Sequence, residues 1–166
     1  STPKPSSAAS MCIRDRLTTI PTAFQVLPGL DLSWNATETN VDRIVVRPGD
    51  TNGGIVITSL LEANQAYGGA VTVYLQAAPA DRSADVDWTT MQSVVVEGGN
   101  LSDECRCESI VWNYVVPNTG QWDLRLVIDP SNGIDERDET NNHHYMMVTG
   151  ASVTGVGVGP SFAPSI

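Results

Sequence analysis

Apolar and polar positions alternate with a period of two from Leu17 onward, in short runs separated by Gly, Pro, Asn and Asp. That period sends successive side chains to opposite faces, so each run predicts a strand. Ala70–Ala77 places Val71, Val73 and Leu75 on one face and Thr72, Tyr74 and Gln76 on the other. Ser109–Val116 aligns Ile110, Trp112, Tyr114 and Val116. Trp122–Ile128 aligns Trp122, Leu124, Leu126 and Ile128 inward, with Asp123 and Arg125 outward. Shorter runs cover Leu30–Trp34, Asp42–Arg47 (Ile44 and Val46 on one face), Ile55–Leu61, Ser93–Glu97 and Tyr145–Thr149. Only Ser59–Ala66 reads as a short helical turn. Seven to eight strands broken by frequent turns predict an all-β, antiparallel β-sandwich, with the Trp112 and Trp122 rings in its core.

The ends of the chain differ from this middle. Residues 1–27 read as an N-terminal tail, 28–150 as the sandwich and 151–166 as a Gly/Val-rich C-terminal tail. Residues 1–16 include Met11-Cys12-Ile13-Arg14-Asp15-Arg16, which resembles a translated sequencing adaptor, so no argument rests on Cys12. Residues 17–27 carry Ile20, Phe24 and Val26, apolar groups suited to a donor strand. Val156 and Val158 alternate with glycine, a pattern that lets two backbones approach closely.

Of 166 residues, 41% are hydrophobic, enough for a core. Nine basic residues stand against 19 acidic, a net charge of −10. That balance excludes nucleic acid, whose phosphates need clustered Lys and Arg, and argues against an anionic membrane surface. No apolar run approaches the roughly 20 residues of a membrane span, so no membrane insertion is expected. The three cysteines, Cys12, Cys105 and Cys107, show no paired framework; Cys105 and Cys107 read as free or separately paired thiols.

Candidate chemistry is sparse. Asp129, Asn132, Asp135, Glu136, Asp138 and Glu139 offer hard oxygens to calcium, the one cofactor the sequence suggests. Their spacing is not that of an EF-hand, and the competing reading is turn chemistry, with Asp and Asn bonding nearby backbone N–H groups. His143 and His144, adjacent on a strand, point to opposite faces and do not share a metal. Asn35 and Asn100 match the N-glycosylation pattern. No nucleophile elbow or phosphate-binding loop is present in the sequence, so no catalytic residue is assigned and the protein is not read as an enzyme.

The string Gly120–Pro130, followed by Ser131-Asn132-Gly133-Ile134-Asp135-Glu136 and Arg137-Asp138-Glu139-Thr140-Asn141-Asn142, resembles the end of a CARDB domain, the cell-adhesion-related domain of bacterial and archaeal surface proteins. Pro48-Gly49-Asp50 and Asn64…Gly68-Gly69 resemble earlier parts of that family, and the similarity spans about Asp42 to Thr149. Pro79–Met91 departs from it by its length. The resemblance implies an immunoglobulin-like sandwich, an extracellular or cell-surface location and no catalytic residues. The expected function is an extracellular structural protein, a self-associating subunit of a filament or surface assembly. Its partners are then copies of itself, as a homopolymer, or other surface proteins, with Ile20, Phe24, Val26, Val156 and Val158 as the contact residues. The alternative is an adhesive or carbohydrate-binding module cut from a larger surface protein.

Overall fold

The structure, a computed structural model, describes residues 29–51, 54–82 and 87–152. Nine strands are present among them: β1 (Leu32–Trp34), β2 (Asn40–Val41), β3 (Val45–Val46), β4 (Ile55–Ala63), β5 (Val71–Pro79), β6 (Thr89–Val96), β7 (Cys107–Tyr114), β8 (Gly120–Ile128) and β9 (His143–Gly150). One 3-10 turn spans Glu139–Asn141. Two sheets result. In the first, β4 is flanked by β7 on one side and by β1 and β2 on the other; the second runs β3-β9-β8-β5-β6. This is the expected immunoglobulin-like β-sandwich.

The two sheets exist because the alternating runs need a common apolar interior. Val71, Val73, Leu75, Leu124, Leu126 and Ile128 come from the second sheet, and Leu32, Ile55, Ile57, Leu61, Trp112 and Tyr114 from the first. The Trp112 indole Nε1 donates to Ser59 Oγ at 2.9 Å, and Ser59 donates in turn to the Ile110 carbonyl. A serine inside a strand thus satisfies the one polar atom of the largest core side chain. Ser59–Ala63 is therefore strand, not a helical turn: its alternate residues Ser59, Leu61 and Ala63 are buried, with Ser59 and Leu61 in register with β7 and Ala63 with β1.

Three further expectations need correction. Ile44 does not share a buried face with Val46; it is 65% exposed, whereas Val46 is buried. The chain leaves the first sheet at Val41 and joins the second at Val45, so the alternation breaks at the crossing. Trp122 faces inward as predicted but lies at the core's edge, half-buried, its indole donating to the Asn118 carbonyl. Cys105 and Cys107 are joined to each other, with Cα atoms 5.1 Å apart. An extended strand would hold them farther apart; the left-handed backbone of Arg106, φ 51°, supplies the bend that brings them together. Arg106 is fixed there by bonds from its N–H to Asp103 and from its guanidinium to the Asn64 carbonyl.

One close approach demands glycine. A Cβ on Gly98 would fall on the carbonyl of Gly68, so the turn after β6 packs against the turn before β5 only without side chains.

Candidate functional site

The connection from β8 to β9 carries the acidic residues singled out in the sequence. Asp129, in left-handed backbone at φ 39°, accepts from Ile134 N–H at 2.6 Å and from Ser131 Oγ at 3.1 Å. Asp138 caps the 3-10 turn by accepting from Thr140 N–H. Glu136 reaches across to β1 and accepts from Leu32 N–H at 2.7 Å. The Asn142 amide bridges the Glu136 and Glu139 carboxylates at 3.1 and 2.9 Å. Asn141 donates to Asp31 at 2.9 Å, and Arg137 N–H donates to the Leu30 carbonyl. These bonds staple β1 to the far end of the domain. The paired asparagines and the carboxylates thus act as ties between backbone segments. Among the described residues, no three His, Cys, Asp or Glu side chains gather into a metal-holding group. Asn132 and Asp135 are exposed.

Burial pushes the Glu136 carboxyl up from its ordinary value, and the neighbouring Glu139 and Asp129 charges act in the same direction. Two hydrogen bonds, from Leu32 and Asn142, pull against this shift.

The histidines separate as the alternation requires. His143 pairs with Val127 on the solvent face of the second sheet, and His144 pairs with Leu126 on the inner one. Both imidazoles are held below the usual value, mainly by burial; for His143 the Arg125 charge adds to the effect.

The outer face of the second sheet holds an arrangement that sequence reasoning missed. The Trp88 ring meets the guanidinium carbons of Arg125 at 4.3 Å and Arg82 at 4.5 Å from its centroid. Tyr145 lies 6.1 Å from Trp88 in a tilted pair and 6.1 Å from His143 in a stacked one. Arg82 pairs with Asp123, and Arg125 donates to Gln76 at 2.7 Å. Beside this stack lies a groove of about 290 Å³ lined by Gln76, Arg125, Asn132, Glu139, Asn142 and His143, among others. The only signal in the sequence was a tryptophan inside Pro79–Met91, a segment outside any alternating run; period-two reading assigns such a residue to no face. A larger concavity of about 480 Å³ sits at the opposite end of β8, around Asp81, Asn118 and Gln121.

The two N-glycosylation matches occupy different settings. Asn35 closes a turn after β1, accepting from Thr37 N–H and Oγ1 and donating to Glu62. Asn100 is exposed in the turn after β6. Ile20, Phe24, Val26, Val156 and Val158 lie outside the described residues.

Two sheets, antiparallel except for the β3–β9 pair, and a polar closing loop that ties the first strand define an immunoglobulin-like sandwich module. Residues 64–146 match the CARDB family profile, and the chain belongs to that family, a non-enzymatic domain type of surface proteins. The fold is similar to the CARDB domain of a Pyrococcus furiosus protein in a crystal structure in complex with di-metal ions. The identity is 16% and the TM-score 0.54, over 73% of this chain and 93% of that one. The solution structure of that domain gives 14% identity and a TM-score of 0.51, over 74% and 96%. A domain of a predicted cell surface protein from Methanosarcina acetivorans gives 18% and 0.49, over 75% and 94%. No curated protein matches the chain.

Proposed function

We propose that this protein is an extracellular, non-catalytic structural module that associates with copies of itself into a filament or surface assembly. The observation that carries this reading is the open perimeter of the sandwich. Among the described residues, β6 pairs its main chain only with β5, and β7 only with β4; one side-chain bond, from Gln92 to the Asn113 carbonyl at 2.7 Å, links β6 to β7. β9 meets β3 only at Thr149 and Gly150, which leaves its first half without a strand on that side. Exposed apolar side chains sit along these strands: Val95 on β6, Val111 on β7, Val45 on β3 and Met147 on β9. An extended segment from a second copy can add to such an edge by main-chain hydrogen bonds, and a head-to-tail contact that does not close builds a fibre. Residues 17–27, with Ile20, Phe24 and Val26, are the proposed donor, and Val156 and Val158 a secondary contact. Light scattering and electron microscopy on the purified chain test this. The intact chain is expected to polymerise, and deletion of residues 1–27 to leave a folded monomer. A monomeric intact chain at high concentration, or unchanged assemblies after the deletion, would overturn it.

The second reading, an adhesive module of a longer surface protein, is favoured by the aromatic and guanidinium stack on the outer face. For the closing loop we propose a tying role. The metal ions of the Pyrococcus domain make calcium the ion to test here. The Asp129, Glu136, Asp138 and Glu139 carboxylates are already bonded to backbone or amide donors. Equal melting curves with calcium and with a chelator are expected; a higher melting temperature with calcium would show that the loop recruits the ion.

A further inference from the structure

We propose that the groove on the outer face of the second sheet binds a neutral carbohydrate chain, with Tyr145 as the stacking surface at its edge and Gln76, Arg125, His143 and Glu139 as its hydrogen-bonding wall. The inference rests on the adhesive reading above and is independent of self-association.

Three features of the groove point to this ligand. The first is its mixture of groups. A pyranose ring presents hydroxyls that both donate and accept, alongside faces of C–H bonds. Arg125 donates, Glu139 accepts, and Gln76 and His143 offer one of each, all around one groove of about 290 Å³. Tyr145, 62% exposed and touching both His143 and Trp88, supplies an aromatic surface beside them.

The second is an unmet acceptor in the wall. Asn142 is 3% exposed, and its amide nitrogen is held by Glu136 and Glu139. Those two bonds fix which way the amide points, and its Oδ1 has no donor. A buried acceptor without a partner is costly, and a hydroxyl is the kind of donor that removes the cost.

The third is charge. One arginine and two carboxylates, Asp129 and Glu139, line the groove, so it holds no cluster of positive charge for an acidic polymer. The chain's net charge of −10 repels acidic polymers. A neutral glycan is left as the favoured occupant. A peptide is a poorer fit, since extended peptides use the backbone of a strand edge, whereas this wall is made of side chains. Holding Trp88 between the loop and the sheet explains the guanidinium contacts, but not the exposed Tyr145 beside a polar groove.

Affinity electrophoresis of the full chain tests the proposal. The gels contain a soluble β-glucan, a mannan, a soluble chitin derivative or alginate, and oligosaccharides of the retarding polymer are then titrated with tryptophan fluorescence as the signal. Retardation by at least one neutral polymer is expected. Tyr145→Ala and Gln76→Ala should each weaken it by about 10-fold or more while the melting temperature holds, because both side chains face solvent. Lack of retardation by any neutral polymer, retardation by alginate alone, or retention unchanged in both variants would overturn the proposal. If either variant shifts the melting temperature, Tyr145→Leu and Gln76→Glu are read instead, with the same loss of retardation expected. Repeating the gels on the chain lacking residues 1–27 separates glycan binding from self-association.

Discussion

At the scale of single residues, two tryptophans with similar sequence signatures, Trp112 and Trp122, do different things. Trp112 is fully buried and bonded to Ser59, whereas Trp122 is half-buried at the rim. Trp112→Ala should therefore cost about 3–5 kcal/mol, and Trp122→Ala distinctly less. Ser59→Ala should cost about 1–3 kcal/mol although it removes only one oxygen, because it leaves the indole N–H buried and unpaired. Chemical denaturation of the three variants checks the order; equal losses at Trp112 and Trp122 would place both rings in the same environment. Tyr114 shows the opposite economy: its buried hydroxyl has no partner, and burial pushes its pKa up to about 12. Alternation reads the face of each of these residues correctly. How deep a ring lies on that face depends on what the opposite sheet places above it, which local pattern does not carry.

At the scale of elements, the closing loop is where sequence and structure meet most closely. The string from Asp129 to Asn142 was legible as turn chemistry, and each bonded carboxylate there accepts from a backbone or amide donor. Its partner β1 was not legible, since Leu32 is 104 residues from Glu136. The tie has a pH signature. Glu136 has a raised pKa in the folded state, so the folded chain holds a proton over a window in which the unfolded chain has lost it. Its contribution is full below the ordinary value of 4.5 and is lost as pH rises through the raised value. Asp138, with its pKa lowered by the Thr140 hydrogen bonds, works in the reverse sense and loses its contribution as pH falls through its own lowered value. The difference in stability between wild type and Glu136→Gln isolates the first effect. Urea unfolding across this range should show wild type losing ground to the variant as pH rises, and a flat difference would remove Glu136 as the source. The Cys105–Cys107 link closes a very short loop, so it removes little entropy from the unfolded chain and acts mainly to set the local bend.

At the scale of the whole molecule, charge is the dominant property that composition fixes. A net charge of −10 repels itself in the compact state. Raising the salt concentration from about 0.01 M to about 0.15 M shortens the Debye length from about 30 Å to about 8 Å, so the melting temperature should rise. A fall would mean that attractive pairs such as Arg82–Asp123 outweigh the repulsion. The sequence by itself determined the strands of β5, β7 and β8 and the first half of β4, because each has a core on one side and solvent on the other, and a period of two records that difference directly. It determined the sandwich class for the same reason, and the family through the closing string. Tertiary structure alone decided which sheet each strand joined, including the crossing at Val41–Val45 that exposes Ile44. It alone brought Arg82, Trp88, Arg125 and Tyr145 together, since those residues come from a loop and two strands whose adjacency is set by sheet order rather than by any local pattern.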